Sequence, residues 1–223
     1  MFASHSVDDW TRPELHTEFN GLMVKRPFHG TYDEHQEAID DAVTRIGNGL
    51  SVQVDMSSNM TADLQAAIGT LLTSAALPPP LSEQIQSDAC SIGRAVGSMC
   101  SATARALEVK LEIFGESICS RWHRDNFVGR ALVSYSGAVG TEYTRDANVN
   151  FWELENCGNN DCILHDPDEV WALEVGDMLF IKGSAYKGAN PLVHKSPVPR
   201  HHADGRVVNR LVLKVDVLRQ KWH

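Results

Sequence analysis

At residue 109 the chain changes its hydrophobic period, and that change restricts the folds open to it. Upstream, apolar residues recur at helical spacing; downstream, β-branched and aromatic residues recur in short segments divided by Gly, Asn and Asp. The downstream pattern predicts strands over 109–114, 118–124, 130–136, 141–143, 149–153, 170–174, 178–182, 192–194 and 207–218. Short strands in succession without helices between them close into an antiparallel sandwich, jelly roll or barrel. Upstream, Ala38, Ile39, Ala42, Val43 and Ile46 share one face of a helix predicted over 32–46, which Asn48-Gly49 stops. An alternating piece over 50–55 precedes a second helix over 61–75, which Pro78-Pro79-Pro80 breaks, and a third helix is predicted over 81–107. The expected fold class is α+β: a mainly helical N-terminal region, 1–108, packed on a C-terminal jelly roll, 109–223, the two forming one compact unit.

Charge narrows the partners. With 20 Lys and Arg against 29 Asp and Glu the net charge is −9, and no basic run interrupts the sequence. Nucleic acid and an acidic membrane surface are therefore not expected as partners, and a small-molecule or protein substrate is. The first residues lack a basic start followed by an apolar stretch, and no apolar run reaches the length of a membrane span, so a cytoplasmic protein is expected. Five cysteines at irregular spacing suit reduced thiols better than a disulfide framework, with Cys90 and Cys100 as core residues.

The residues that carry chemistry begin with His123-Arg124-Asp125 and continue with His194. Side chains two apart on a strand share a face, so a strand over 118–124 would project Cys119, Arg121, His123 and Asp125 together. Two imidazoles and one carboxylate from separate strands hold a divalent transition metal on one side and leave the other positions open, the ligand set of non-haem Fe(II) oxygenases. Either histidine alone would serve equally well as a hydrogen-bonded core residue. Cys119 opens an alternative, because thiolate beside imidazole favours Zn, in a hydrolase, a lyase or a non-catalytic metal-binding protein; it reads equally as an inert core thiol.

Other polar groups have simpler readings. Cys157, Cys162 and His165 could form half of a zinc site or a redox pair, or flank a hairpin turn at Gly158-Asn159-Asn160. Glu142 and Asp177 sit beside glycine turns and are expected to serve the backbone. Lys182, inside an apolar strand, either snorkels outward or faces a polar cavity as an anion-binding group.

The order of these elements resembles the double-stranded β-helix, a cupin-like jelly roll, of Fe(II)/2-oxoglutarate-dependent oxygenases, especially their prolyl-hydroxylase-like branch, over roughly residues 109–218. A closer resemblance is to domain-of-unknown-function family 1826, on Cys119 with His123-Arg124-Asp125, Gly140-Thr141-Glu142, Gly176-Asp177, Lys182-Gly183, His194-Lys195-Ser196-Pro197 and Arg210-Leu211. The oxygenase resemblance implies His123, Asp125 and His194 as iron ligands, 2-oxoglutarate as cosubstrate, and hydroxylation of a C–H bond. It also implies a basic residue paired with the far carboxylate of 2-oxoglutarate: Arg210, with Arg206 four residues earlier as the rival. Tyr135 or Tyr143 would hydrogen-bond the cosubstrate or sit in the core, and the loops 144–148, 155–169 and 184–190 would select the substrate.

Overall fold

The computed structural model describes residues 1–26, 34–47, 49–56, 59–101, 104–116, 118–137, 139–156, 158–188 and 190–219, and the statements below concern these. Ten strands form two sheets. The larger holds β1 (Phe2–Ser4), β2 (Gly21–Val24), β8 (Met178–Lys182), β5 (Gly129–Ser134), β10 (Arg210–Arg219), β4 (Ala104–Phe114) and β3 (Leu50–Asp55), in that spatial order. The smaller holds β7 (Trp171–Ala172), β6 (Glu142–Tyr143) and β9 (His194–Lys195). Every pairing is antiparallel except β1 with β2.

Register divides the large sheet into two chemically distinct faces. Val212 lies between Ser134 and Glu112, Lys214 between Leu132 and Lys110, and Asp216 between Arg130 and Glu108, so these even-numbered residues share a face. The odd-numbered residues Leu211, Leu213, Val215 and Val217, with Ala131, Val133, Leu107, Val109 and Leu111, are buried in one apolar cluster. That cluster is completed by α2 (Gln36–Ile46), α3 (Met60–Ala75) and α4 (Pro79–Cys100), which follow α1, a single turn at Leu15–Glu18. A second cluster, Met23, Leu132, Leu173, Leu179, Ile181, Leu192 and Val212, fills the even-numbered face toward the small sheet. The helices thus cover one face of the large sheet, and the other face is left to build a cavity. No helix of the described residues is long and apolar enough to cross a membrane.

A buried polar knot fastens helix to sheet. Asp88 on α4 accepts from Arg26 at 2.7 and 2.9 Å, from Gln84 at 2.8 Å and from the Tyr135 hydroxyl at 2.6 Å. Tyr135 is fully buried on the helix-facing side, so the expectation that it binds a cosubstrate is corrected: its odd register turns it away from the cavity. Tyr135→Phe is expected to lower stability by about 1–2 kcal/mol in urea unfolding, the usual cost of removing one hydrogen bond to a charged buried group, and to leave 2-oxoglutarate affinity unchanged.

Several predicted elements differ. The N-terminal region is not purely helical, since β1, β2 and β3 all join the large sheet. Good helix formers at Ala104–Leu107 belong to β4 because they pair with both β3 and β10, and tertiary pairing outweighs a weak local preference. The predicted strand over 149–153 is instead the start of a helix, α5 (Phe151–Asn156), where the Asn150 side chain accepts from the Glu153 amide at 3.2 Å as an N-cap. The predicted strand over 118–124 is a loop. The Asn160 side chain, at the head of α6 (Asn160–Ile163), donates to the Ser120 carbonyl at 2.9 Å and accepts from the Trp122 amide at 3.0 Å, replacing a strand partner.

Candidate metal centre

One cluster of three potential metal ligands exists among the described residues: His123, Asp125 and His194, one ligand atom from each lying within 4.8 Å of the others. His123 and His194 face each other as a bridge pair, exchanging two backbone hydrogen bonds of 3.0 Å, which sets their rings 4.4 Å apart. Each ring is then oriented from behind. His123 Nδ1 lies 2.8 Å from the Arg121 carbonyl and His194 Nδ1 lies 3.0 Å from the Leu192 carbonyl. A carbonyl only accepts, so each Nδ1 carries a proton and each Nε2 is turned to the centre, the tautomer a metal requires of a neutral ring. The two Nε2 atoms lie 3.8 and 3.7 Å from the Asp125 oxygens. Burial pushes the His194 imidazole down to about 4, so it is neutral, and ready to ligate, at ordinary pH.

Asp125 sits in the loop rather than in a strand, and two contacts hold it. Its carbonyl accepts from the Ser184 amide at 2.8 Å, and its buried carboxylate accepts from Arg130 at 3.3 and 3.4 Å. The first contact depends on Gly183, where a Cβ would fall 2.0 Å from the Phe127 carbonyl oxygen and 3.0 Å from that of Asp125. These are backbone atoms, so a side chain there must displace the loop. Gly183→Ala is accordingly expected to weaken Co(II) binding by tenfold or more in isothermal calorimetry while the protein still folds; unchanged affinity would show that the loop tolerates the shift.

A cavity of about 260 Å³ opens beside the two histidines. Its walls include Phe114, Ile118, Leu132 and Val212, with Arg130, Lys195, Arg210 and Lys214 as its cations. Lys214 is paired with Glu112 and Lys195 with Glu142, whereas the buried Arg210 has a 3.5 Å contact to the Val139 carbonyl and a buried Nε with no partner among the described residues. Burial pushes the Arg210 guanidinium down to about 10, with Glu142 opposing the shift, so it stays charged at neutral pH. A buried cation with an unmet donor is the arrangement a carboxylate completes. Gly137, at φ +88°, lets the Arg210 stem pass close by, since a Cβ there would lie 2.5 Å from Arg210 Cγ.

The remaining expected site residues are dispersed. Arg206 is exposed, paired at 2.7 Å with Asp204 in the turn before β10, and is not part of the cavity wall. Cys119 is exposed on the cavity wall, outside the three-ligand cluster, because the loop lacks the alternation that would have aligned it with His123. Tyr143 packs on Trp171 at 6.0 Å in the small sheet. Lys182 lies on the helix side of the sheet, donating to the Leu15 carbonyl beneath the Tyr186 ring, and burial pushes its amine down to about 8. Asp177 accepts from the backbone amides of Arg26 and Glu174, as expected of a turn residue, but Glu142 instead pairs with Lys195. Cys157 lies outside the described residues. Sequence reasoning missed Arg130, although a charged residue alternating with the apolar Ala131 and Val133 was a readable sign.

The family model described as "Protein of unknown function (DUF1826)" matches residues 14–216. No protein of curated function matches the sequence. Among solved structures, a dioxygenase for auxin oxidation from Arabidopsis thaliana in a 2-oxoglutarate complex is 10% identical with a TM-score of 0.54, over 99% of this chain and 92% of that one. A rice dioxygenase for auxin oxidation gives 11% identity and a TM-score of 0.49, over 96% of this chain and 79% of that one. A Pseudomonas putida prolyl-4-hydroxylase gives 10% and 0.44, over 96% and 100%. The Arabidopsis match shows a shared jelly-roll fold, and at that identity the fold alone.

Proposed function

Because the chain belongs to the DUF1826 family, whose description assigns no activity, we propose from the site itself that the protein is an Fe(II)/2-oxoglutarate-dependent oxygenase. The observation that carries this reading is a two-histidine, one-carboxylate cluster whose histidines line the same cavity as a buried guanidinium that has an unmet donor among the described residues.

His123, Asp125 and His194 would hold the metal, and Arg210 would hold the distal carboxylate of 2-oxoglutarate. The metal, when bound with its cosubstrate, supplies dioxygen activation and the oxidising power for C–H hydroxylation. The chain's own contribution is geometric and electrostatic. The carbonyls of Arg121 and Leu192 keep both imidazoles in the ligating tautomer. Arg210 neutralises a dicarboxylate at its far end, and Phe114, Leu132 and Val212 keep water from the space between. With about 260 Å³ available, the cavity suits a small acid, below the usual range of about 300–1,000 Å³ for pockets that take drug-sized ligands, so the oxidised substrate approaches from outside it.

A zinc protein of the same fold is the competing reading, and it rested on Cys119 as a fourth ligand. Cys119 lies outside the three-ligand cluster, which takes away the sulfur donor on which that reading leaned. Calorimetry with Mn(II) as a redox-inert probe tests the proposal. 2-Oxoglutarate is expected to bind the Mn(II)-loaded protein and not the metal-free protein; binding that ignores the metal, or no binding at all, would contradict it.

A further inference from the structure

We propose that Arg130, braced by Asp216, is a positioning residue that sets the metal-binding carboxylate of Asp125, an inference that rests on the metal centre described above. Asp125 belongs to a loop, so no strand register fixes its side chain, yet it is buried beside two imidazoles. Arg130 meets both of its oxygens through one nitrogen, Nη1, at 3.4 and 3.3 Å. The rest of the guanidinium is committed elsewhere: Nε and Nη2 donate to the two Asp216 oxygens at 2.6 and 3.1 Å, and the Phe127 ring lies 4.3 Å from its central carbon. A fork gripped on one side by a fully buried carboxylate cannot rotate without breaking two charged hydrogen bonds, so its remaining donor is a fixed reference for Asp125.

The chain of charges extends further. Asp216 also faces Lys110 at 3.5 Å, and Lys110 pairs with Glu108 at 2.9 Å, so five alternating charges run from β4 across β10 and β5 to the metal centre. Alternation decides which of two opposing effects of Arg130 prevails. A lone guanidinium beside a divalent cation would repel it, but Asp216 largely cancels that charge as seen from the centre. What remains is orientation of the carboxylate. Lysine could restore the charge but not the three-way fork.

The test uses Co(II), read by its visible d–d absorption and by calorimetry, on the full chain carrying Arg130→Met, Arg130→Lys or Asp216→Asn. Arg130→Met is expected to weaken Co(II) binding by about tenfold or more, the usual effect of losing an outer partner of a metal ligand, with altered d–d bands. Arg130→Lys should recover only part of the affinity. Asp216→Asn, which touches no ligand, should shift affinity and spectrum in the same direction by a smaller amount. A folded Arg130→Met protein with the parent's affinity and spectrum would overturn the proposal; should that variant fail to fold, parent-like behaviour of both other variants would overturn it equally. Absence of Co(II) binding by the parent protein would overturn the metal centre itself, a different failure from insensitivity to these substitutions.

Discussion

Asp125→Ala is expected to abolish stoichiometric metal binding. Three ligands are available, two are imidazoles, and the carboxylate is the one anionic group in the cluster that offsets the charge of a divalent cation. Without it the centre keeps two imidazoles and no anionic ligand, and the Arg130 Nη1 that met the carboxylate is left facing the metal position. The substitution adds no bulk and lies in a loop outside the two sheets, so the fold should persist, as far-UV circular dichroism would report. Metal content after dialysis, by atomic emission, is the measurement. One metal per chain in that variant would remove Asp125 from the site.

The second large effect concerns Arg210. Arg210→Ala should weaken 2-oxoglutarate binding by a factor on the order of 10² or more, since truncating one partner of a buried charged pair typically costs about 2–5 kcal/mol. Metal affinity should be untouched, because Arg210 is not among the three ligands. Arg206→Ala provides the contrast: that side chain is exposed, paired with Asp204 and absent from the cavity wall, so its loss should leave cosubstrate affinity within about twofold, as surface ion pairs contribute little. Calorimetry on the Mn(II)-loaded variants decides between them, and the reverse ranking would move the anchor to Arg206.

Much of the centre was legible from residue type and order. A histidine and an aspartate two apart, a distant second histidine and an arginine in the last apolar strand are chemically unusual in a β-rich region, and the structure clusters the first three and lines one cavity with both histidines and the arginine. Position on a face was less legible. Both faces of β5 are covered, so its composition does not say which side faces the site: Tyr135 lies with the helices, whereas Arg130, which was missed, lies beside Asp125. The loop over 118–124 escaped because its strand-like composition is satisfied by one remote side chain, Asn160, a long-range contact that no local pattern encodes. Strands β1 and β2 are too short and too apolar to show a period, and only pairing identifies them. Arg206 could have been set aside earlier, since Asp204-Gly205 before it is a turn signal.

The most direct test of the account is an anaerobic optical titration of the Fe(II)-loaded protein with 2-oxoglutarate. If His123, Asp125 and His194 hold the metal and Arg210 holds the far carboxylate, the expected result is a visible charge-transfer band that saturates at one 2-oxoglutarate per chain. A protein that binds Fe(II) tightly and develops no such band would contradict the oxygenase reading and leave a metal site of another kind.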